Sequence, residues 1–245
     1  MRAGKASAWL IAAAAWLGPA SPAHPGDLRL EPISLTLAAG EDSTTLWLSN
    51  TGPDPLQAQV RLFAWNQGEG GELLTPTREL AVSPPLIEVP PQGRQRVRVV
   101  RLAAGAPAGE TAYRLIVDEL PGGAPMGSRG ESLLRYSIPV FASAGSQAEG
   151  AHLSARIERD AAGVRRLRLE NSGGRHARVA RLTFVAAGGR RHVLAPNLAG
   201  YVLAGRYKVW PLPGDLDDTV PGRFEADVNG DAVVLVPEPA LFSGR

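Results

Sequence analysis

Gln95-Arg96-Val97-Arg98-Val99-Val100-Arg101-Leu102 sets arginine and valine in alternation at residues 96–99. Successive side chains of a strand point to opposite faces, so this period of two describes a strand with one covered and one solvated face. The same pattern extends in both directions. Upstream lie Leu28-Arg29-Leu30, Ile33-Ser34-Leu35-Thr36-Leu37 and Thr44-Thr45-Leu46-Trp47-Leu48, the last ending in the turn Ser49-Asn50-Thr51-Gly52. Gln57 to Trp65 follows and leads into a hairpin signal, Gly68-Glu69-Gly70-Gly71. Downstream come Ala112 to Leu120 and Leu133 to Ala142. Short runs punctuated by Gly, Pro and Asn predict an all-β sandwich or barrel, and no window carries a sustained 3.6-residue stripe.

A small, polar, Gly-flanked segment at Ala144-Gly145-Ser146-Gln147-Ala148-Glu149-Gly150 reads as a linker. Strand signals restart beyond it at Leu153–Glu158, Val164–Glu170, Ala177–Ala186, Arg191–Leu194, Tyr201–Leu203, Tyr207–Leu212 and Ala232–Val236, while Pro213 to Arg223 reads as a loop. Asn171-Ser172-Gly173 repeats the Asn-x-Gly of Asn50-Thr51-Gly52, which hints at two similar modules. The expected organisation is a signal peptide over 1–23, one β-sandwich domain over 24–145 and a second over 146–245. The signal reading rests on basic Arg2 and Lys5, an uncharged apolar run to Leu17, and small residues at Ser21 and Ala23. Cleavage after Ala23 is preferred, with Ala20 second. The run is too short to span a bilayer, so no membrane insertion is expected.

Composition narrows the chemistry. Without cysteine an exported chain has no disulfides, and each domain must stand on its own core. The formal charge of +2 includes Arg2 and Lys5, so the remainder is neutral and carries no footprint for nucleic acid. His24, His152, His176 and His192 show no metal-ligand spacing, and no catalytic motif or cofactor fingerprint is present. Carboxylates such as Asp118-Glu119 and Asp217-Asp218 follow no catalytic pattern. No catalytic residue, metal or cofactor is therefore expected. Arginine is the remaining candidate: Arg94, Arg96, Arg98 and Arg101 stud one strand, with Arg114 and Arg135 in later ones. These read either as solvated strand faces or as a set of which one or two converge to fork onto a carboxylate.

Ser83-Pro84-Pro85-Leu86-Ile87-Glu88-Val89-Pro90-Pro91-Gln92-Gly93-Arg94 and the strand after it resemble the shared stretch of the periplasmic pilus-assembly chaperones. Glu110 to Pro121 resembles that family's sixth strand and Leu133 to Phe141 its seventh. Trp65-Asn66-Gln67, Tyr113-Arg114 and Ile138-Pro139-Val140-Phe141 are similar to the archaic, spore-coat-U-type branch. The resemblance implies two immunoglobulin-like domains set at an angle with a cleft between them. It also implies periplasmic location, and a function of stabilising pilus subunits by lending them a strand and delivering them to an outer-membrane usher. Here the lending strand would be Ser132 to Phe141, with Leu134, Tyr136, Ile138 and Val140 on one face. The pattern alone equally suits a face that covers the chain's own core.

The well-studied branch of the family anchors the subunit's terminal carboxylate with an arginine in the first strand and a lysine late in the seventh. This sequence has Ser34 and Pro139 there. The resemblance therefore implies a substitute, Arg114 first and then Arg98 or Arg135. Pro139 fits a strand edge, and self-association capping that edge is a further expectation. The alternative is a structural or adhesive exported protein of two immunoglobulin-like modules, with an envelope enzyme third.

Overall fold

A computed structural model describes residues 27–69, 71–102, 109–121, 133–143, 149–160, 162–214 and 222–238. The signal segment, His24, Ser132, Asp217-Asp218 and the boundary between 145 and 146 lie outside the described residues.

The alternating runs fold as strands. In chain order the first ten are β1 (Leu28–Glu31), β2 (Leu35–Leu37), β3 (Ser43–Asn50), β4 (Leu56–Gly68) and β5 (Gly71–Pro76), then β6 (Leu80–Ser83), β7 (Leu86–Val89), β8 (Arg94–Arg101), β9 (Glu110–Leu120) and β10 (Arg135–Ser143). One sheet has the order β1-β3-β8-β6. The other runs β2-β10-β9-β4-β5, with β7 also pairing β4. Leu46, Leu48, Val97 and Val99 from the first sheet meet Val60, Leu115, Val117 and Val140 from the second in one core. Glu31-Pro32-Ile33-Ser34 carries the chain from one sheet to the other, so β2 lies parallel to the end of β10, Leu35 opposite Val140.

The second sandwich comprises β11 (Leu153–Arg159), β12 (Arg165–Asn171), β13 (Ala177–Ala186), β14 (Arg191–Val202), β15 (Arg206–Pro211), β16 (Gly222–Val228) and β17 (Asp231–Leu235). The sheet β11-β12-β15 faces β14-β13-β16-β17 across a core that includes Leu167, Leu169, Leu182 and Phe224. The chain is thus all-β, in two sandwich domains.

The repeated Asn-x-Gly has a physical basis. Asn50 ends β3 and is buried; its Nδ2 donates to Asp54 O and Val89 O, and its Oδ1 accepts from Gly52 N–H. Asn171 ends β12 and does the same with Arg175 O, Val202 O and Gly173 N–H, while also accepting from His152 N–H. Both glycines let the turn close onto the chain entering the first strand. A Cβ on Gly52 would lie 2.4 Å from Asp27 Oδ2, and one on Gly173 would lie 2.0 Å from Gly150 O.

Four expectations need correction. β6 and β7 were not expected, because four-residue strands flanking Pro84-Pro85 are too short to show a period. β14 is one strand rather than two, and bulges between Val179 and Thr183 of its partner β13 accommodate the irregularity. Arg223, placed in the loop, belongs to β16, a strand missed entirely. β10 begins at Arg135, so Leu133 and Leu134 precede the strand.

Candidate functional site

Two features stand out where β10 runs towards the second domain. The first is its unequal pairing. β9 accompanies β10 along its whole length, Arg135 opposite Asp118 to Ser143 opposite Glu110. β2 joins the other side only at Val140–Ala142. Among the described residues nothing pairs with that side of Arg135–Pro139. Glu119 N–H donates to Leu134 O at 3.0 Å, which fixes the alternation of the antiparallel ladder. The backbone groups of Tyr136 and Ile138 therefore turn to β9, and those of Arg135, Ser137 and Pro139 turn outward. Pro139 has no N–H, so its place on the outward side forfeits no bond to β9.

Beside this edge lies a cleft of about 450 Å³ lined by Leu28, Arg29, Leu30, Ile33, Tyr136, Ser137 and Ile138. Ile33 is 81% exposed. Tyr136 spans to β1, its hydroxyl donating to Leu28 O at 2.8 Å. In the free chain Ile138 and Val140 belong to its own core, Tyr136 packs against that core, and Leu134 is half-buried. Burial pushes the Glu119 carboxyl, which accepts the Leu134 N–H at 3.1 Å, above its usual range.

The second feature is the junction between domains. Trp65, Phe141, Tyr201 and Leu203 form a buried cluster of their own. Gln67, buried, fits the second domain's backbone with both ends of its amide: Nε2 donates to Tyr201 O at 2.8 Å and Oε1 accepts from Leu203 N–H at 2.9 Å. His176 stacks on Phe141 with centroids 3.4 Å apart, and its backbone N–H and Nδ1 both meet Glu110 Oε1, at 2.7 and 2.8 Å.

Arg114 lies at this junction. Its guanidinium carbon sits 3.6 Å from the Trp65 ring centroid and 5.9 Å from that of Tyr201. Nη2 is 3.2 Å from Glu72 Oε2, and Glu72 Oε1 is 3.2 Å from Lys208 Nζ of the second domain. The other two candidates are elsewhere. Arg98 faces outward from the opposite sheet, between inward Val97 and Val99, and donates to Ser43 Oγ at 2.6 Å. Arg135 stands at the far end of β10, where it and Arg61 share Asp118. The three arginines do not converge. Sequence reasoning missed Glu72, Lys208, Trp65, Tyr201 and Gln67 as site residues. Lys208 carried one signal, being with Lys5 one of only two lysines. Among the described residues no three His, Asp or Glu side chains cluster to hold a metal ion.

Residues 27–143 match the N-terminal domain of the pili and flagellar-assembly chaperones, the PapD type. The match covers every strand of the first sandwich. This domain belongs to the pilus-assembly chaperone family. The fold across both domains is shared with solved structures. A chain of the CsuC–CsuE chaperone–tip adhesion subunit pre-assembly complex, from the archaic Csu pili of Acinetobacter baumannii, is 23% identical. That alignment covers 86% of this chain and 99% of that one, with a TM-score of 0.69. The CupB2 chaperone of Pseudomonas aeruginosa is 17% identical, covering 86% and 100%, TM-score 0.58. The Salmonella enterica complex of SafA pilin with the SafB chaperone gives 16% over 87% and 98%, TM-score 0.61. No curated protein matches in sequence.

Proposed function

We propose that the chain is a periplasmic chaperone that lends β10 to pilus subunits and hands them to an outer-membrane usher. The observation that carries this reading is the outward backbone of Arg135, Ser137 and Pro139, unpaired among the described residues and bordered by an apolar cleft. A strand with free donors and acceptors on one side is a template for another strand, and the partner's ladder supplies affinity while side chains supply register. Leu134 and Tyr136, half-buried, turn to the subunit most readily, and Ile138 borders the cleft. Arg114 holds the subunit's terminal carboxylate at the domain junction. Association needs no cofactor, because the exchanged bonds are backbone hydrogen bonds and apolar contacts. In the free protein, self-association over the same edge keeps it from aggregating.

Co-expression with small exported subunits from the same genome tests this. A one-to-one complex that survives purification, and is weakened about tenfold or more by Arg114→Ala and by Leu134→Asp, is the expected result. A chain that remains soluble and partnerless with every candidate subunit would leave it a structural two-domain module.

A further inference from the structure

Glu72 ties the two domains together with one carboxylate. Its oxygens lie 3.2 Å from Arg114 Nη2 in the first domain and 3.2 Å from Lys208 Nζ in the second. Within this triad two cations share one anion, while the junction's other carboxylate, Glu110, is engaged by His176. Acceptors are also scarce there. Arg114 Nε and Trp65 Nε1 are both buried without a hydrogen-bond partner among the described residues, and the guanidinium lies against that same indole. Unpaired buried donors are costly, so two side by side mark a place that suits one more acceptor.

The three charged groups are held unequally. The Arg114 side chain is 12% exposed, sandwiched against Trp65 and near Tyr201. Lys208 lies across Gly200, where a Cβ would come within 2.9 Å of Nζ. Glu72 is the most exposed of the three and stands on β5, an edge strand whose six residues are all exposed. The cations are fixed by what lies beneath them, and the anion is the member able to turn aside. Asp118 also joins two arginines, Arg61 and Arg135, but both belong to its own domain and are largely exposed.

We infer that Glu72 is a built-in stand-in for the terminal carboxylate of a bound subunit, and that Lys208 grips that carboxylate together with Arg114 once Glu72 turns away. This rests on the chaperone reading above. Subunit docking is then an exchange of carboxylates at a site spanning both domains, and Glu72 competes with the subunit. While the site is free, the stand-in keeps two buried-side cations from facing each other unpaired.

Lys208 and Lys5 are the only lysines, and Lys5 falls in the segment read as the signal. Amine acetylation with peptide mass spectrometry therefore reports on Lys208 specifically. The probe is an exported pilus subunit co-purified with the chain, either intact or lengthened by Gly-Gly so that its carboxylate moves off the site. The intact subunit is expected to slow Lys208 acetylation about fivefold or more, to bind Glu72→Gln about tenfold more tightly, and to bind Lys208→Met about tenfold more weakly. The lengthened subunit is expected to treat all three chains alike. Thermal melting of each variant alone separates a lost grip from a lost fold, and Glu72→Ala repeats the test without a replacement amide. An intact subunit that binds all variants equally, with Lys208 reacting as in the free chain, refutes the exchange and leaves the chaperone reading standing. A subunit that fails to bind even the wild type refutes the chaperone reading, and the exchange with it.

Discussion

Asn50 and Asn171 satisfy backbone groups that no strand reaches, at equivalent corners of the two sandwiches. Truncating either one leaves buried carbonyls and N–H groups unpaired. Asn171→Ala, which loses four hydrogen bonds, is expected to cost about 2–4 kcal/mol in chemical denaturation. Gly173→Ala should cost at least as much, because its Cβ would meet backbone at 2.0 Å and only a backbone shift relieves that. Tyr113 provides a test by pH. It is 2% exposed and donates to Glu79, and burial, followed by that hydrogen bond, pushes its hydroxyl from 10.0 up to about 12. Below pH 10 the phenol is neutral in both folded and unfolded chains, so its contribution is fully present. Between about pH 10 and 12 the unfolded chain gives up the proton and the folded chain keeps it, so stability falls by about 2–3 kcal/mol. Urea midpoints measured across that window should show the fall in wild type and a flatter curve in Tyr113→Phe. At this scale the sequence shows that Asn50 and Asn171 are equivalent. It does not show their partners Val89 and Val202, each more than 30 residues away.

The behaviour of β10 depends on which way its backbone faces. Ser137 is exposed and its N–H turns away from β9, so Ser137→Pro removes an outward donor without removing a bond to β9. The expected outcome is a change in folding stability within about 1 kcal/mol, together with loss of subunit capture in pull-down. If capture persists undiminished, the partner does not use this edge. Strands such as β3, β8 and β9 were legible because each is long enough to show its period beside one covered face. β6, β7 and β16 were not. The first two are four residues long, and β16 holds Gly222, Glu225 and Asp227, with Asp227 kept buried by Arg181. The sequence also could not tell a donor face from a core face in β10, because one apolar alternation suits both. The structure shows Ile138 and Val140 serving the chain's own core while the adjoining edge stays unpaired among the described residues.

At the scale of the whole molecule the two sandwiches are joined by an aromatic cluster, the Gln67 amide, the Glu110–His176 hydrogen bonds and the Glu72–Lys208 ion pair. Gln67→Ala would strand Tyr201 O and Leu203 N–H. It should weaken the contact by about 2–3 kcal/mol, seen as a broader interdomain distance distribution in small-angle scattering with both domains still folded. The family resemblance pointed to Arg114 beside the cleft, but the aromatic and amide contacts around it were not legible in the sequence. Trp65 and Gln67 of β4, Phe141 of β10 and Tyr201 of β14 lie on outward faces of three strands, and only the packing of one domain on the other makes those faces interior. In the proposed complex β10 lends its outward backbone to a subunit. Residue-resolved hydrogen exchange at the Arg135 and Ser137 amides, in the free chain and in a purified subunit complex, tests it most directly. Rapid exchange is expected when free and slowing by about a hundredfold or more in the complex, with Tyr136 and Ile138 protected in both. Exchange at Ser137 as fast in the complex as in the free chain would contradict it.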